Sequence, residues 1–294
     1  MRLRLRDEVL ELREGTAPLV MGIVNASPES FSDGASVGGL DQQVERALAM
    51  GADIVDVGGE SGVTDRPPLP AEEEAARVVP LVERLAAEGV TVSVDTWKAP
   101  VAEAAVDAGA AMINDVSGLL DPGVADACAR SGAALVVMHT RARPKEKAFP
   151  PYEDVVADVL SFLRERMELA VRRGVSEEQL VVDPGPDFAK TPAETVEVLR
   201  MLPALRELGR PVLLAASRKD FVGALTGRAP ADRLAGTLAA IGEGATGGAA
   251  IVRVHDVAAT RDFLTVRAAL RGEIEVPREL HLDQRLRRQA GNPA

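Results

Sequence analysis

Val90-Thr91-Val92-Ser93-Val94-Asp95-Thr96, Ala111-Met112-Ile113-Asn114-Asp115 and Ala134-Leu135-Val136-Val137-Met138-His139 follow one another within residues 90–139. Each is a short apolar or β-branched run that ends in a polar residue, the signature of a buried strand entering a loop. Between them, residues 100–108 and 123–130 repeat apolar side chains at three and four, the spacing of an amphipathic helix. Gly109 and Gly132 follow these helical stretches, and Asp121-Pro122 opens the second. Strand and helix in strict alternation with short connections are the repeat of a parallel sheet.

The alternation continues in both directions. Further strands are predicted at 19–24, 53–57, 180–182, 211–215 and 250–254, and further helices at 40–50, 71–88, 152–173, 191–208, 232–243 and 257–271. Gly51 and Gly89 mark helix ends, and Thr191-Pro192-Ala193-Glu194 is a capping box with proline at the first helical position. Pro80 predicts a kink or a split in the second helix. Eight β-α units predict an α/β fold, a single (β/α)8 TIM barrel with its active site at the C-terminal ends of the strands. The alternative, a doubly wound open sheet, wants a G-x-G-x-x-G motif between its first strand and helix. Gly242-Glu243-Gly244-Ala245-Thr246-Gly247 matches that pattern but precedes a strand, so it reads as a helix end and turn.

No linker rich in Ser, Gly or Pro divides the 294 residues, so residues 1–276 are expected to form one catalytic domain. Residues 277–294, with Arg278, Arg285, Arg287 and Arg288, read as a short basic C-terminal tail. The longest interruption, residues 141–152, reads as a lid or a surface excursion. Composition at 46% hydrophobic and 27% charged excludes disorder and collagen-like structure. A formal charge of −11 argues against nucleic acid or an anionic membrane as partner, while leaving room for a small anion held by local cations. Cys128 has no partner for a disulfide, and one cysteine with three histidines cannot build a zinc site of those two types. The N-terminus alternates Arg with Leu and shows no secretory signal, which predicts a cytoplasmic protein. Only five of the 34 basic residues are lysines, so a lysine in a candidate site stands out.

The predicted strands end in Asn25, Asp56, Asp95-Thr96, Asn114-Asp115, His139, Asp183, Ser217-Arg218-Lys219 and Arg253-Val254-His255-Asp256. One polar strand end is an ordinary loop start, but eight at one barrel mouth point to a site. Glu60, Asp107 and Asp115 read equally well as caps or supporting acceptors. Asp95, Asn114 and Asp183 offer acceptors to a ligand with several N–H donors, as a 2-aminopyrimidinone ring has. Lys219, Arg253 and His255 fall on strands seven and eight, where barrels commonly hold phosphate.

The same residues carry a resemblance. Met21-Gly22-Ile23-Val24-Asn25-Ala26-Ser27-Pro28-Glu29-Ser30-Phe31-Ser32-Asp33-Gly34 and Gly51-Ala52-Asp53-Ile54-Val55-Asp56-Val57-Gly58-Gly59-Glu60-Ser61 resemble two signatures of the dihydropteroate synthases, the pterin-binding barrel family. Ser93-Val94-Asp95-Thr96, Ile113-Asn114-Asp115, Asp183-Pro184-Gly185, Ser217-Arg218-Lys219 and Arg253-Val254-His255 continue it in the family's order, from about residue 21 to 270. Such enzymes condense 6-hydroxymethyl-7,8-dihydropterin diphosphate with 4-aminobenzoate, giving 7,8-dihydropteroate and diphosphate for folate biosynthesis. The resemblance implies a pterin pocket of Asp95, Asn114, Asp183 and Lys219, with Lys219, Asp95 and Asp183 as the catalytic set. It further implies diphosphate anchors in Arg253 and His255, an Asn25 link to Mg²⁺, a loop-ordering role for Asp33, and a homodimer.

Three departures stand out. The family's Ser-Thr-Arg-Pro loop appears as Ser61-Gly62-Val63-Thr64-Asp65-Arg66-Pro67, so the substrate contact of the loop threonine either shifts to Thr64 or is lost. The aromatic- and glycine-rich run after Asp183-Pro184-Gly185 becomes Pro186-Asp187-Phe188-Ala189-Lys190, leaving Phe188 as the pocket aromatic. Asp220 replaces a serine near the expected benzoate carboxylate, and would repel it unless it turns away or pairs with an arginine. Rival readings are a pterin-binding paralogue without synthase activity, a corrinoid-linked methyl-folate methyltransferase domain, and a barrel aldolase with Lys219 as Schiff base.

Overall fold

The computed structural model describes residues 1–13, 15–26, 39–60, 67–283, 286 and 287. An antiparallel hairpin, β1 (Arg2–Leu5) and β2 (Glu8–Glu11), opens the chain. The eight expected strands follow as β3 (Leu19–Asn25), β4 (Ile54–Gly58), β5 (Val92–Asp95), β6 (Met112–Asp115), β7 (Ala134–Met138), β8 (Leu180–Asp183), β9 (Val212–Leu214) and β10 (Ala249–Val254). They form a closed parallel barrel in chain order, with β10 returning to pair with β3. The predicted (β/α)8 barrel is the observed fold.

Alternation along the strands divides the core in two. Met21, Ile54, Met112, Ala134, Val136, Val181, Leu213 and Ile251 pack inside the barrel. Their neighbours Val20, Val55, Val92, Ile113, Leu135, Val137, Leu180, Val182, Leu214 and Val252 face the helices. The surrounding helices are α1 (Leu40–Met50), α2 (Ala71–Ala87), α3 (Ala99–Asp107), α4 (Gly123–Ser131), α5 (Val155–Arg172), α6 (Pro192–Arg200), α7 (Asp220–Thr226), α8 (Leu234–Gly247) and α9 (Val257–Leu270). None of the described helices is long and apolar enough to cross a membrane.

Several details differ from the sequence reading for local reasons. α2 continues through Pro80 without being split. The stretch 191–208 divides into α6, closed by its Thr191–Glu194 capping box, and a 3-10 helix Leu202–Leu208 that has Pro203 near its start. α5 begins only at Val155, where the Asp154 side chain caps Ala157 N at 2.9 Å, and this leaves Tyr152 outside the helix. α7 is an additional short helix, and residues 242–247 are the last turns of α8, ended by Gly248 at φ +99°. The hairpin was not foreseen. Its Leu3 and Leu5 are buried against the inward apolar residues and close the barrel floor, and Arg6 ties it to the Val106 carbonyl at 2.6 Å.

Candidate active site

The strand periodicity that buries Met21, Ile54, Met112, Val181 and Ile251 continues upward by twos to polar residues. It carries β3 to Asn25, β4 to Asp56, β6 to Asn114, β8 to Asp183 and β10 to Arg253 and His255. Register places Asn25, Gly58, Asp95 and Asn114 in one row across four adjacent strands. A cavity of about 750 Å³ opens above this row at the C-terminal mouth. Asn25, Asp95, Asn114, Asp183, Phe188, Lys219, Arg253 and His255 all line it. Thr64 and Asp33 lie outside the described residues.

Arg253 joins the two sides of the mouth. Its Nε donates to Asp56 Oδ2 at 2.6 Å and its Nη2 to Asp95 Oδ2 at 2.8 Å, which leaves three of the five guanidinium protons for other acceptors. Burial works against the charge on Arg253, yet Asp56 and Asp95 hold its pKa above the usual arginine range. Asn114 Nδ2 also donates to Asp56 Oδ2, at 3.3 Å, so the amide oxygen of Asn114 is its remaining acceptor. Burial pushes Asp95 above the ordinary carboxylate range, with Arg253 pulling it back. Asp183 is pushed up to about 6 by burial, against its bond from Gly185 N at 2.7 Å and the charge of Lys219.

The cationic side is built on β9 and β10. Lys219 Nζ sits 4.1 Å from the centre of the Phe188 ring, and burial lowers its pKa against the pull of Asp187 and Asp183. Ser217 Oγ accepts from His255 N at 3.2 Å and lies 3.0 Å from His255 Nδ1. Ser217 and His255 thus orient one another, and a proton donated from Ser217 Oγ to Nδ1 would place the proton of a neutral ring on Nε2. Asp220 pairs with Arg233 Nη1 at 3.1 Å, so the arginine partner its position demands is present.

Some polar strand ends do not face the cavity. β7 points Met138 inward, so His139 turns outward toward α5, where Nε2 meets Asp158 Oδ2 at 2.8 Å and the ring stands edge-on to Phe162. Asp115 caps its own turn, accepting from Ser117 N and Leu119 N at 2.7 and 2.8 Å. Asp107 is exposed at the end of α3 beside Arg130. Glu60, by contrast, does line the cavity, where it receives Lys98 at 2.8 Å and Lys145 at 3.0 Å, which together outweigh burial and keep its carboxyl low. Lys145 thereby ties the 141–152 segment, much of which lines the cavity, to the end of β4.

Two residues of the site were not singled out from the sequence. Asp56 appeared only as a strand end, and its partner Arg253 is 197 positions away. Lys190 is 1% exposed and lies against His139 and the loop after β8, and burial lowers it to about 7 against the pull of Asp183. The scarcity of lysine was the one available signal. All five lysines sit in the segments that follow the strands' C-terminal ends: Lys98 after β5, Lys145 and Lys147 after β7, Lys190 after β8 and Lys219 after β9.

Among the described residues, no group of three or more His, Cys, Asp or Glu side chains could hold a metal. Mg²⁺ commonly keeps waters and substrate phosphate oxygens and takes only one or two protein ligands. The amide oxygen of Asn25, at the cavity, is compatible with that mode.

Buried carboxylates and an amide on one side of a barrel mouth, with basic side chains on the other, are the arrangement of a (β/α)8 enzyme site for a small polar molecule. The pterin binding enzyme family profile matches residues 21–255. The chain is 43% identical to the dihydropteroate synthase of Bacillus subtilis, covering 86% of this chain and 87% of that one. A probable bifunctional folylpolyglutamate synthase/dihydropteroate synthase of Haloferax volcanii is 43% identical over 90% of this chain, which spans 32% of that longer protein. The solved Xanthomonas albilineans dihydropteroate synthase with 4-aminobenzoic acid is 45% identical and superimposes with a TM-score of 0.84 over 94% of this chain and 99% of that chain. The chain belongs to the dihydropteroate synthase family.

Proposed function

We infer that this chain catalyses the condensation of 6-hydroxymethyl-7,8-dihydropterin diphosphate with 4-aminobenzoate to give 7,8-dihydropteroate and diphosphate. The observation that carries the reading is the pairing of inward acceptors with a cationic rim in one 750 Å³ cavity. It is supported by the Xanthomonas albilineans enzyme, solved in complex with 7,8-dihydropteroate at 45% identity.

Asp95, Asn114 and Asp183 receive the ring N–H donors and orient the pterin, with Lys219 beside them. Arg253 and His255 Nε2–H take the diphosphate. The methylene C–O bond breaks with its electron pair going to the diphosphate oxygen, and the acceptors offset the positive charge that spreads into the ring. The aniline nitrogen, stacked by Phe188, forms the new C–N bond and releases a proton. Asn25 would hold Mg²⁺, which when bound adds positive charge at the leaving diphosphate. No covalent enzyme intermediate is needed. Thr64 is proposed as a further substrate contact from the preceding loop.

Pairing with Arg233 is one of the two arrangements in which Asp220 would not repel benzoate, and it supports the reading. We also propose that residues 1–276 act as the catalytic domain with 277–294 as a tail, and that the protein works in the cytoplasm as a homodimer. Purified protein with the pterin diphosphate, 4-aminobenzoate and Mg²⁺ should form diphosphate and dihydropteroate in equal amounts. Pterin binding with no product at saturating substrate would overturn the reading.

A further inference from the structure

Lys190 is buried and takes no part in the chemistry above, yet every ammonium proton has a partner. Its Nζ lies 2.7 Å from His139 Nδ1, 3.0 Å from the Gly185 carbonyl and 3.2 Å from the Phe188 carbonyl. The three ammonium protons are shared among these three acceptors and the His139 carbonyl, which lies 3.5 Å away. Donation into Nδ1 places the ring proton of His139 on Nε2, from which it is donated to Asp158 Oδ2 at 2.8 Å. Burial and the charge of Lys190 push His139 down to about 3, so the ring stays neutral and able to accept. Asp158 is held in turn by Arg141 Nε at 2.9 Å.

The carbonyls that Lys190 binds shape the loop after β8. Asp187 and Ala189 flank Phe188 at φ +64° and +53°, a region that L residues occupy only where their surroundings hold them. Tyr152 Oη donates to the Ala189 carbonyl at 2.9 Å, and Asp187 N to Thr195 Oγ1 at 3.1 Å. Between these ties the Phe188 ring lies beneath the Lys219 ammonium. We propose that Lys190 is a positioning residue for the transfer: by bridging His139 to the Gly185 and Phe188 carbonyls, it holds the Phe188 ring under Lys219, where the amine substrate is received. The role rests on the synthase reading given above.

A double-mutant cycle on the full chain tests it, with steady-state kinetics and pterin calorimetry as readouts. Lys190→Met should raise KM for 4-aminobenzoate about tenfold, with a smaller loss of pterin affinity, at most about threefold, from the positive charge withdrawn from Asp183. In a Phe188→Leu background the same change should add less than about twofold, because the ring it acts through is gone. Asp158→Ala frees His139 to carry its proton on Nδ1, facing Lys190, and should raise the same KM about three- to fivefold. It carries the cycle if Lys190→Met does not fold. Equal losses for both substrates, additive effects in the double variant, or an unchanged amine KM in Asp158→Ala would each overturn the role. A wild-type chain that makes no dihydropteroate overturns the function and the role together, whereas an active wild type with an additive cycle overturns the role alone.

Discussion

Asp183 illustrates how one side chain serves binding at the expense of stability. Its carboxyl, pushed up to about 6 by burial, is ionised at neutral pH inside a site that disfavours the charge. In the unliganded protein, stability from this group is fully present below its unfolded value and is lost as pH rises through about 6. Asp183→Asn is therefore expected to raise the unliganded melting temperature by about 2–5 °C at neutral pH while weakening pterin binding at least about tenfold. Calorimetry with the hydroxymethyl pterin lacking its diphosphate, so that no ligand phosphate titrates, should show affinity falling as pH drops through about 6. A flat profile would remove the ionised acceptor from the account. Asn25, Asp95, Asn114, Asp183, Arg253 and His255 were legible because each stands at or just past the end of a recognisable strand, and Lys219 because it lies in the loop that follows one; all line the cavity. Asp56 and Lys190 were not, since their importance comes from partners 197 and 51 positions away, brought near by closure of the barrel in the first case and by the pairing of β7 with β8 in the second.

At the scale of the element, the barrel strands were readable because period-two burial on both faces leaves short, nearly continuous apolar runs. His139 shows what a strand end alone leaves open: the side of the strand it faces decides between cavity and helix, and a run such as Ala134–Met138, apolar on both faces, gives no parity. The turn after β8 was legible only in part. Gly185 has φ +64°, and a Cβ there would sit 2.1 Å from the His139 carbonyl oxygen, a backbone atom with little room to yield. Gly185→Ala should cost at least about 3 kcal/mol in denaturant unfolding. Loss of less than about 1 kcal/mol would mean that β7 and the turn are not locked together as described.

For the whole molecule, the two ends of the barrel are assigned to different tasks. The hairpin closes the floor with Leu3 and Leu5, while the polar residues gather at the mouth. Leu3→Ala should destabilise by about 2–5 kcal/mol in urea unfolding yet leave both KM values unchanged. Altered substrate affinity would show that the floor and mouth communicate. The hairpin escaped notice because Arg2, Leu3, Arg4 and Leu5 are too short a run to distinguish a strand from a charged tail. The placement of every lysine after a strand's C-terminal end has a practical consequence. In a chain whose other basic side chains are arginines and histidines, amine-directed reagents find their lysine targets only at the mouth. Reductive methylation with isotope-labelled formaldehyde would thus give a sparse NMR spectrum whose lysine signals all come from the substrate-facing end of the barrel.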